Sequence, residues 1–337
     1  MPDVVPRTAD CRISDPRFTL QALAPARRVP GLAEDLLEGF ARRPRTLPPK
    51  YFYDARGSEL FDRICSTAEY YPTRTEAALL QSGAARLLER ARPDALVELG
   101  AGTARKTRLL LEQCDRAGLA CQYWPFDVCA EVLEQAAGEL LEAFPWLRVN
   151  ALVGDYMACL EGLALPPGRR LFMFLGGTIG NFAPGESVAF LEQIAGLMGA
   201  GDHLLLGADR VKERGVLEAA YDDAEGITAE FNRNLLRVLN RELGADFDIS
   251  AFEHRALYDP GQARIEMHLV SQRDQSVAVE QLDRRYEFAD GQYILTEISR
   301  KFTPQALDSE LSQAGLETVL HLQPDNGYFS LVLARRT

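Results

Sequence analysis

Val97-Glu98-Leu99-Gly100-Ala101-Gly102-Thr103 decides the fold. The run from Ala95 to Leu99 is short and apolar, Gly-x-Gly stops it, and a helical pattern from Lys106 to Gln113 follows at once. That succession is a strand, a tight turn and a helix. Small residues in such a turn let backbone approach a ligand closely and set helix N-terminal amides beside it, which suits a nucleotide-like molecule. Alone, the Gly-x-Gly fits either a nucleotide turn or a merely tight one.

The next two strand ends separate the ligand classes. A dinucleotide fingerprint wants a small residue at position 105, and this chain has Arg105 there, whose bulk opposes close helix packing. An S-adenosylmethionine (SAM) site wants an acid at the end of the following strand for the ribose hydroxyls, and Tyr123-Trp124-Pro125-Phe126 ends in Asp127. A third strand, Leu147 to Val153, runs into Gly154-Asp155-Tyr156, a carboxylate and an aromatic placed for adenine. The three ends together resemble a Rossmann-like class I methyltransferase sheet. Both acids also fit as plain loop acids or helix caps.

At 337 residues the chain exceeds one typical domain, and a hydrophobic fraction of 47% supports a globular core. A formal net charge of -12 disfavours a nucleic-acid partner, which usually leaves a basic footprint, and points to small-molecule substrates. No apolar run reaches the roughly 18 residues of a membrane helix. Met1 to Ser14 carries charges and prolines in place of a signal-peptide core, so a cytoplasmic location is expected, without membrane association. The six cysteines, Cys11, Cys65, Cys114, Cys121, Cys129 and Cys159, and the four histidines, His203, His254, His268 and His321, lack metal-ligand spacing. Reduced structural thiols and no metal are the expectation, and a monomer is expected.

Residues 1–30 are proline-rich with little periodicity and read as an N-terminal arm. A helix covers about Gly31 to Arg42, and Thr73 or Thr75 is a candidate cap for a helix from Glu76 to Arg90. Strands then alternate with helices at Ala95 to Leu99, Tyr123 to Phe126, Leu147 to Val153, Arg170 to Leu175 and His203 to Leu206, which argues for a mainly parallel sheet covered on both faces. After Asp209 the pattern changes to helices at Arg214 to Tyr221 and Ile227 to Leu243, then strands at Ala263 to Ser271 and Tyr293 to Lys301. A helix near Pro304 to Ala314 and strands near Thr318 to Leu322 and Tyr328 to Ala334 should return to the first sheet.

A second anchor is the strand Leu171 to Leu175, which runs into Gly176-Gly177-Thr178-Ile179-Gly180-Asn181. Glycines at a strand's carboxyl end let backbone face a ligand in the crevice, and Asn181 adds a side chain that both donates and accepts. A plain turn uses the same residues. Seven segments then occur in order: Pro49-Lys50-Tyr51-Phe52-Tyr53-Asp54, Glu69-Tyr70-Tyr71-Pro72-Thr73-Arg74-Thr75-Glu76, Val97 to Thr103, Phe174 to Asn181, Tyr221-Asp222-Asp223-Ala224, Phe231-Asn232-Arg233-Asn234 and Leu295-Thr296-Glu297-Ile298-Ser299-Arg300-Lys301. Together they resemble the SAM-dependent L-histidine Nα-methyltransferases of ergothioneine biosynthesis, from about Gly31 to the C-terminus.

The resemblance implies an α/β fold: a Rossmann-like class I methyltransferase domain (residues 74–210 and 302–337) joined to a second, α+β substrate-binding domain (31–73 and 211–301). It implies SAM as methyl donor, contacted by Gly100, Lys106, Asp127, Asp155 and Tyr156. L-histidine would lie among Tyr53, Tyr70, Gly176, Asn181, Tyr221, Phe231, Met267, Glu297 and Ser299. Tyr70 and Tyr221 would hold its carboxylate, Asn181 its α-amine, and Glu297 with Ser299 its imidazole, with Tyr53 and Asn181 nearest the chemistry. The product would be the trimethylated betaine, hercynine. Gly177 departs from the family pattern, where serine is expected in many relatives. Read without the resemblance, Glu297 and Ser299 share one face of a strand that is equally a solvated one, and Tyr53, Tyr70, Tyr221 and Met267 are ordinary packing residues.

Overall fold

The strand Ala95–Leu99 is buried along its whole length, as expected of a central strand covered on both faces. In the computed structural model, which describes residues 13–26 and 28–337, it lies inside an eight-stranded sheet. In chain order the first half contains β1 (Phe18–Ala22), α1 (Leu32–Ala41), β2 (Arg45–Thr46), α2 (Ala55–Ile64), α3 (Tyr71–Ala91), β3 (Ala95–Leu99), α4 (Arg105–Arg116), β4 (Gln122–Asp127), α5 (Ala130–Ala143), β5 (Arg148–Val153) and α6 (Tyr156–Cys159). There follow β6 (Arg170–Phe174), α7 (Glu186–Leu197), β7 (His203–Asp209), α8 (Arg214–Tyr221), α9 (Ile227–Leu243), β8 (Phe252–Asp259), β9 (Arg264–Ser271), β10 (Gln275–Val279), β11 (Arg284–Phe288), β12 (Tyr293–Arg300), α10 (Pro304–Gln313), β13 (Leu316–Leu322) and β14 (Phe329–Arg336).

The large sheet runs β1-β5-β4-β3-β6-β7-β14-β13, parallel except for β14, which is antiparallel to both neighbours. Chain order moves outward from β3 to β5, then returns to β6 on the other side of β3. The carboxyl ends of β3 and β6 are thus the switch point, where open α/β sheets hold their ligands. One face packs on α3, α4 and α5 through Leu80, Leu87, Leu110, Leu111 and Leu133. The other packs on α7 and α10 through Phe190, Leu191, Ile194, Leu307 and Leu311.

A second sheet, β2-β12-β9-β8, and the hairpin β10-β11 enclose a separate core with α1, α2, α8 and α9. Its β2 lies between β1 and β3 of the large sheet in sequence, while its other strands lie between β7 and β13, so the chain passes between the two bodies more than once. Two passages lie side by side: Arg210 bridges Phe302, and the Phe302 amide donates to the Asp209 carbonyl.

Three expectations need correction. Phe18–Ala22, inside the supposed arm, pairs in parallel with β5 and forms the sheet's edge. Residues 1–12, including Cys11, lie outside the described residues. Helix α3 begins at Tyr71 rather than Glu76, because Pro72, with its fixed φ and no amide to satisfy, suits the first helical turn. Neither threonine caps it: Thr75 Oγ1 donates to the Tyr71 carbonyl inside the helix, and Thr73 Oγ1 donates to Cys65 Sγ. Finally, the Arg105 side chain is exposed and reaches toward Asp62 at 3.4 Å, so it does not obstruct helix packing; buried Ala104 precedes it in a left-handed conformation.

Candidate active site

Gly100 ends β3 with φ of +73°, a conformation glycine adopts without strain, and its amide donates to the Phe126 carbonyl of β4. A side chain there would lie 3.7 Å from the Tyr156 ring. Asp127, at the end of β4, accepts from the Gly102 amide at 2.9 Å and from the Cys129 amide at 3.2 Å. An ionised carboxylate offers about four lone-pair sites, so half its accepting capacity remains. Asp155 caps α6, accepting from the Met157 amide at 2.8 Å. Tyr156 packs edge-on against Phe126 and Phe174, and burial raises its phenol above its ordinary value.

Beneath this turn lies a carboxylate to which the sequence reading assigned no role. Glu98 accepts from Thr107 Oγ1 at 2.6 Å and from the Tyr123 hydroxyl, tying α4 and β4 to β3, and burial pushes its carboxyl up to about 7. Glu76 of α3 acts similarly one strand over. Its oxygens accept the Gly176 amide at 2.9 and 3.0 Å and lie 2.6 Å from Lys106 Nζ. Lys106 is therefore already paired, although two of its three N–H donors stay available. Gly176 and Gly177 both have positive φ, +83° and +70°. The second value explains why a glycine is well suited to the position where serine was expected.

Across the cleft, the second body gathers aromatic rings. Phe231 stacks on Phe52 with centroids 4.6 Å apart, Tyr53 meets it edge-on at 5.8 Å, and Tyr70 faces Tyr221 at 6.1 Å. Tyr53 keeps 38% of its surface accessible, yet its phenol lies deep in the cleft, where crowding raises it well above its ordinary value. The Glu297 charge acts on Tyr53, Tyr70 and Tyr221, and the Tyr156 phenol also acts on Tyr53, which joins the two sides of the cleft. Glu297 and Ser299 both lie on β12. Burial pushes the Glu297 carboxyl up to about 7 despite the opposing pull of Lys301. Met267 pairs with Glu297 across β9 and β12 but is 1% exposed and belongs to the second core.

The short turn Thr178–Asn181 presses against β12, where a side chain at Gly180 would stand 2.7 Å from the Arg300 carbonyl and 3.4 Å from Ser299 Oγ. Asn181 is thereby held beside the strand that carries Glu297 and Ser299. Helix α9 organises the rest within one turn. Asn232 Nδ2 donates to His254 Nδ1 at 2.8 Å, and His254 Nε2 in turn donates to the Tyr221 carbonyl at 2.8 Å, in the tautomer these partners require. Asn234 Nδ2 donates to Asp54 Oδ1 at 2.8 Å, which fixes the residue after Tyr53. The Asn232, His254 and Asn234 contacts were not assigned from sequence; only the Phe231-Asn232-Arg233-Asn234 segment hinted at them.

A hollow of about 610 Å³, lined by Arg90, His203, Arg335 and Arg336 among others, lies elsewhere on the molecule and contains none of these residues.

The sequence model of the family described as "Histidine-specific methyltransferase, SAM-dependent" matches residues 32–336. The chain belongs to this family. Among relatives of this SAM-dependent methyltransferase, the chain is 46% identical over 305 residues to histidine N-alpha-methyltransferase of Mycobacterium tuberculosis, covering 90% of this chain and 95% of that one. It is 29% identical to ergothioneine biosynthesis protein 1 of Neurospora crassa, covering 87% of this chain and 33% of that longer protein. It is 30% identical to L-tryptophan methyltransferase trpM of Psilocybe serbica, covering 85% and 88%.

Proposed function

We propose that this methyltransferase transfers three methyl groups from SAM to the α-amine of L-histidine, producing hercynine as the first step of ergothioneine biosynthesis. The observation that carries the choice of amino acid is Glu297, a half-buried carboxylate two residues from Ser299 on β12, whose charge reaches Tyr53, Tyr70 and Tyr221. An imidazole offers two ring nitrogens to this pair. A phenyl ring would leave the carboxylate without a partner, and an indole, with one N–H and no acceptor, would leave either Glu297 or Ser299 unpaired, at a cost of about 1.5–3 kcal/mol.

The residues present fit SAM. Glycine at position 100 leaves space against Tyr156, and Asp127 retains free lone pairs beside the glycine turn. Gly100, Lys106, Asp127, Asp155 and Tyr156 would hold it, and bound there it supplies a methyl group on a sulfonium for in-line displacement by the amine. The protein's contribution is positioning, which alone can account for a large share of the acceleration. An α-amine with a reference pKa of roughly 8 is partly neutral near physiological pH, so little help is needed to expose its lone pair. Asn181 orients the amine, and Tyr53 offers a π face to the ammonium as charge develops. Tyr70 and Tyr221 hold the carboxylate, while Gly176 and Phe231 shape the walls and Met267, in the core, supports β12 from its partner strand β9. Each methyl added removes an N–H and enlarges the head group, so orientation rests on the carboxylate and imidazole ends throughout.

The test is incubation of the purified protein with SAM and a panel of free amino acids, following mass gain and release of S-adenosylhomocysteine. Histidine alone should gain three methyl groups. Methylation of tryptophan in preference to histidine would overturn the imidazole assignment and leave the methyltransferase itself standing.

A further inference from the structure

Resting on that reading, we infer that Lys301 is a positioning residue of the substrate site: its buried ammonium sets the Tyr221–Ser299 hydroxyl pair so that the pair offers the substrate one proton rather than two. The Lys301 side chain is fully buried at the end of β12. Its three N–H groups have three partners: Asp209 Oδ2 at 2.9 Å, Ser299 Oγ at 2.9 Å and the Tyr221 hydroxyl oxygen at 3.0 Å. An ammonium has no lone pair to accept with, so both hydroxyl oxygens must receive from it. The two oxygens are also 2.8 Å from each other, which consumes one of their two protons. One proton is left to face the cleft.

Either hydroxyl can supply it, and the substrate chemistry decides which. A carboxylate beside Tyr221 draws the phenol proton outward. Ser299 must then donate to Tyr221, and its remaining lone pair faces the imidazole as an acceptor. Ser299 and Glu297 thus present two acceptors to the ring, a set that suits an imidazole with both nitrogens protonated, or one nitrogen meeting a Glu297 that itself carries the proton. Lys301 is held in place by Asp209, which also accepts from the Tyr71 hydroxyl at 2.7 Å and pairs with Lys212. This anchor touches neither substrate end; Lys301 reaches the ligand by direct contact through the hydroxyl pair, and at a distance through its charge on Glu297.

The test begins with wild-type turnover of histidine; failure there would remove the substrate reading, not the hydroxyl accounting alone. With turnover established, Lys301→Met should raise the KM for histidine at least tenfold and leave SAM affinity within twofold. An unchanged KM would overturn the proposal. A double-mutant cycle of Tyr221→Phe with Ser299→Ala leaves Lys301 in place and covers the case in which Lys301→Met does not fold. Without Tyr221 the Ser299 proton loses its acceptor and turns toward the ring, so removing Ser299 as well should cost less than its single effect predicts. Coupling of fivefold or more in kcat/KM is expected. Strictly multiplicative losses would mean that the two hydroxyls act independently and would sink the inference.

Discussion

Glu297 concentrates the specificity argument in one side chain. Glu297→Ala should raise the KM for histidine about 10- to 100-fold, equivalent to about 1.5–3 kcal/mol, with SAM affinity unchanged in a direct titration. The same residue burdens the unliganded fold. Its carboxyl is raised to about 7 by burial, so the folded protein binds its proton more tightly than the unfolded chain, whose value lies near 4.5. Stability from this group is therefore full below about pH 4.5 and is lost as pH rises toward 7. Glu297→Gln should melt about 2–4 °C above wild type at pH 8, with the difference shrinking near pH 5 in thermal scans without ligand. Asp127→Ala should weaken SAM binding at least tenfold, because it removes both a candidate ribose contact and the brace on the Gly102 amide. Such residues could be proposed from sequence because their type suits the chemistry and their neighbours form recognisable segments. Their braces were not: Glu76 and Gly176 are 100 positions apart, and Tyr221 and Lys301 are 80 apart. No local pattern encodes a contact of that kind.

Individual elements were legible in proportion to their hydrophobic contrast. Strands β3 to β6 of the parallel sheet, being largely apolar, were found to within a residue, β7 runs three residues beyond its expected end to Asp209, and α8 and α9 coincide with their expected limits. Strand β8 was missed although it alternates buried and open positions cleanly, because His254 and Ala256 occupy inward sites while Leu257 points outward. His254 is inside for a reason unrelated to apolarity, namely its bonds to Asn232 and Tyr221. Strand β2 has two residues and β1 sits in a proline-rich segment, so neither offers enough period to read. The turn Thr178–Asn181 shows what a single atom does at this scale. In Gly180→Ala the added methyl would meet backbone of β12 at 2.7 Å, too close for a flexible neighbour to give way. The expected cost is about 1–3 kcal/mol of stability. A larger loss is expected in kcat/KM for histidine than in SAM binding, since the turn that carries Asn181 would be pushed away from β12; equal losses in both would contradict this account.

At the level of the whole molecule, the two bodies meet around a buried charge. Asp209 ends a strand of one sheet, Lys301 follows a strand of the other, and Tyr71 opens the helix that leaves the second body. Burial raises the Asp209 carboxyl, but Lys301 and Lys212 outweigh that and hold it below its ordinary value. Its contribution is present above pH 3.8 and is lost as pH falls through the lowered folded value. Asp209→Ala leaves two lysines buried without their counter-charge and should cost about 3–5 kcal/mol in denaturant unfolding near neutral pH. The interleaving of the bodies also has a consequence in time. Strands β3 to β7, with the glycine turns at their ends, leave the ribosome as one continuous stretch, whereas β2 must wait some 250 residues for its parallel partner β12, and β7 waits for β14. During synthesis, then, the half proposed to hold SAM can take shape while the second body is still a set of unmatched pieces, and the nascent chain passes through an interval with an open sheet edge that a chaperone would have to shield.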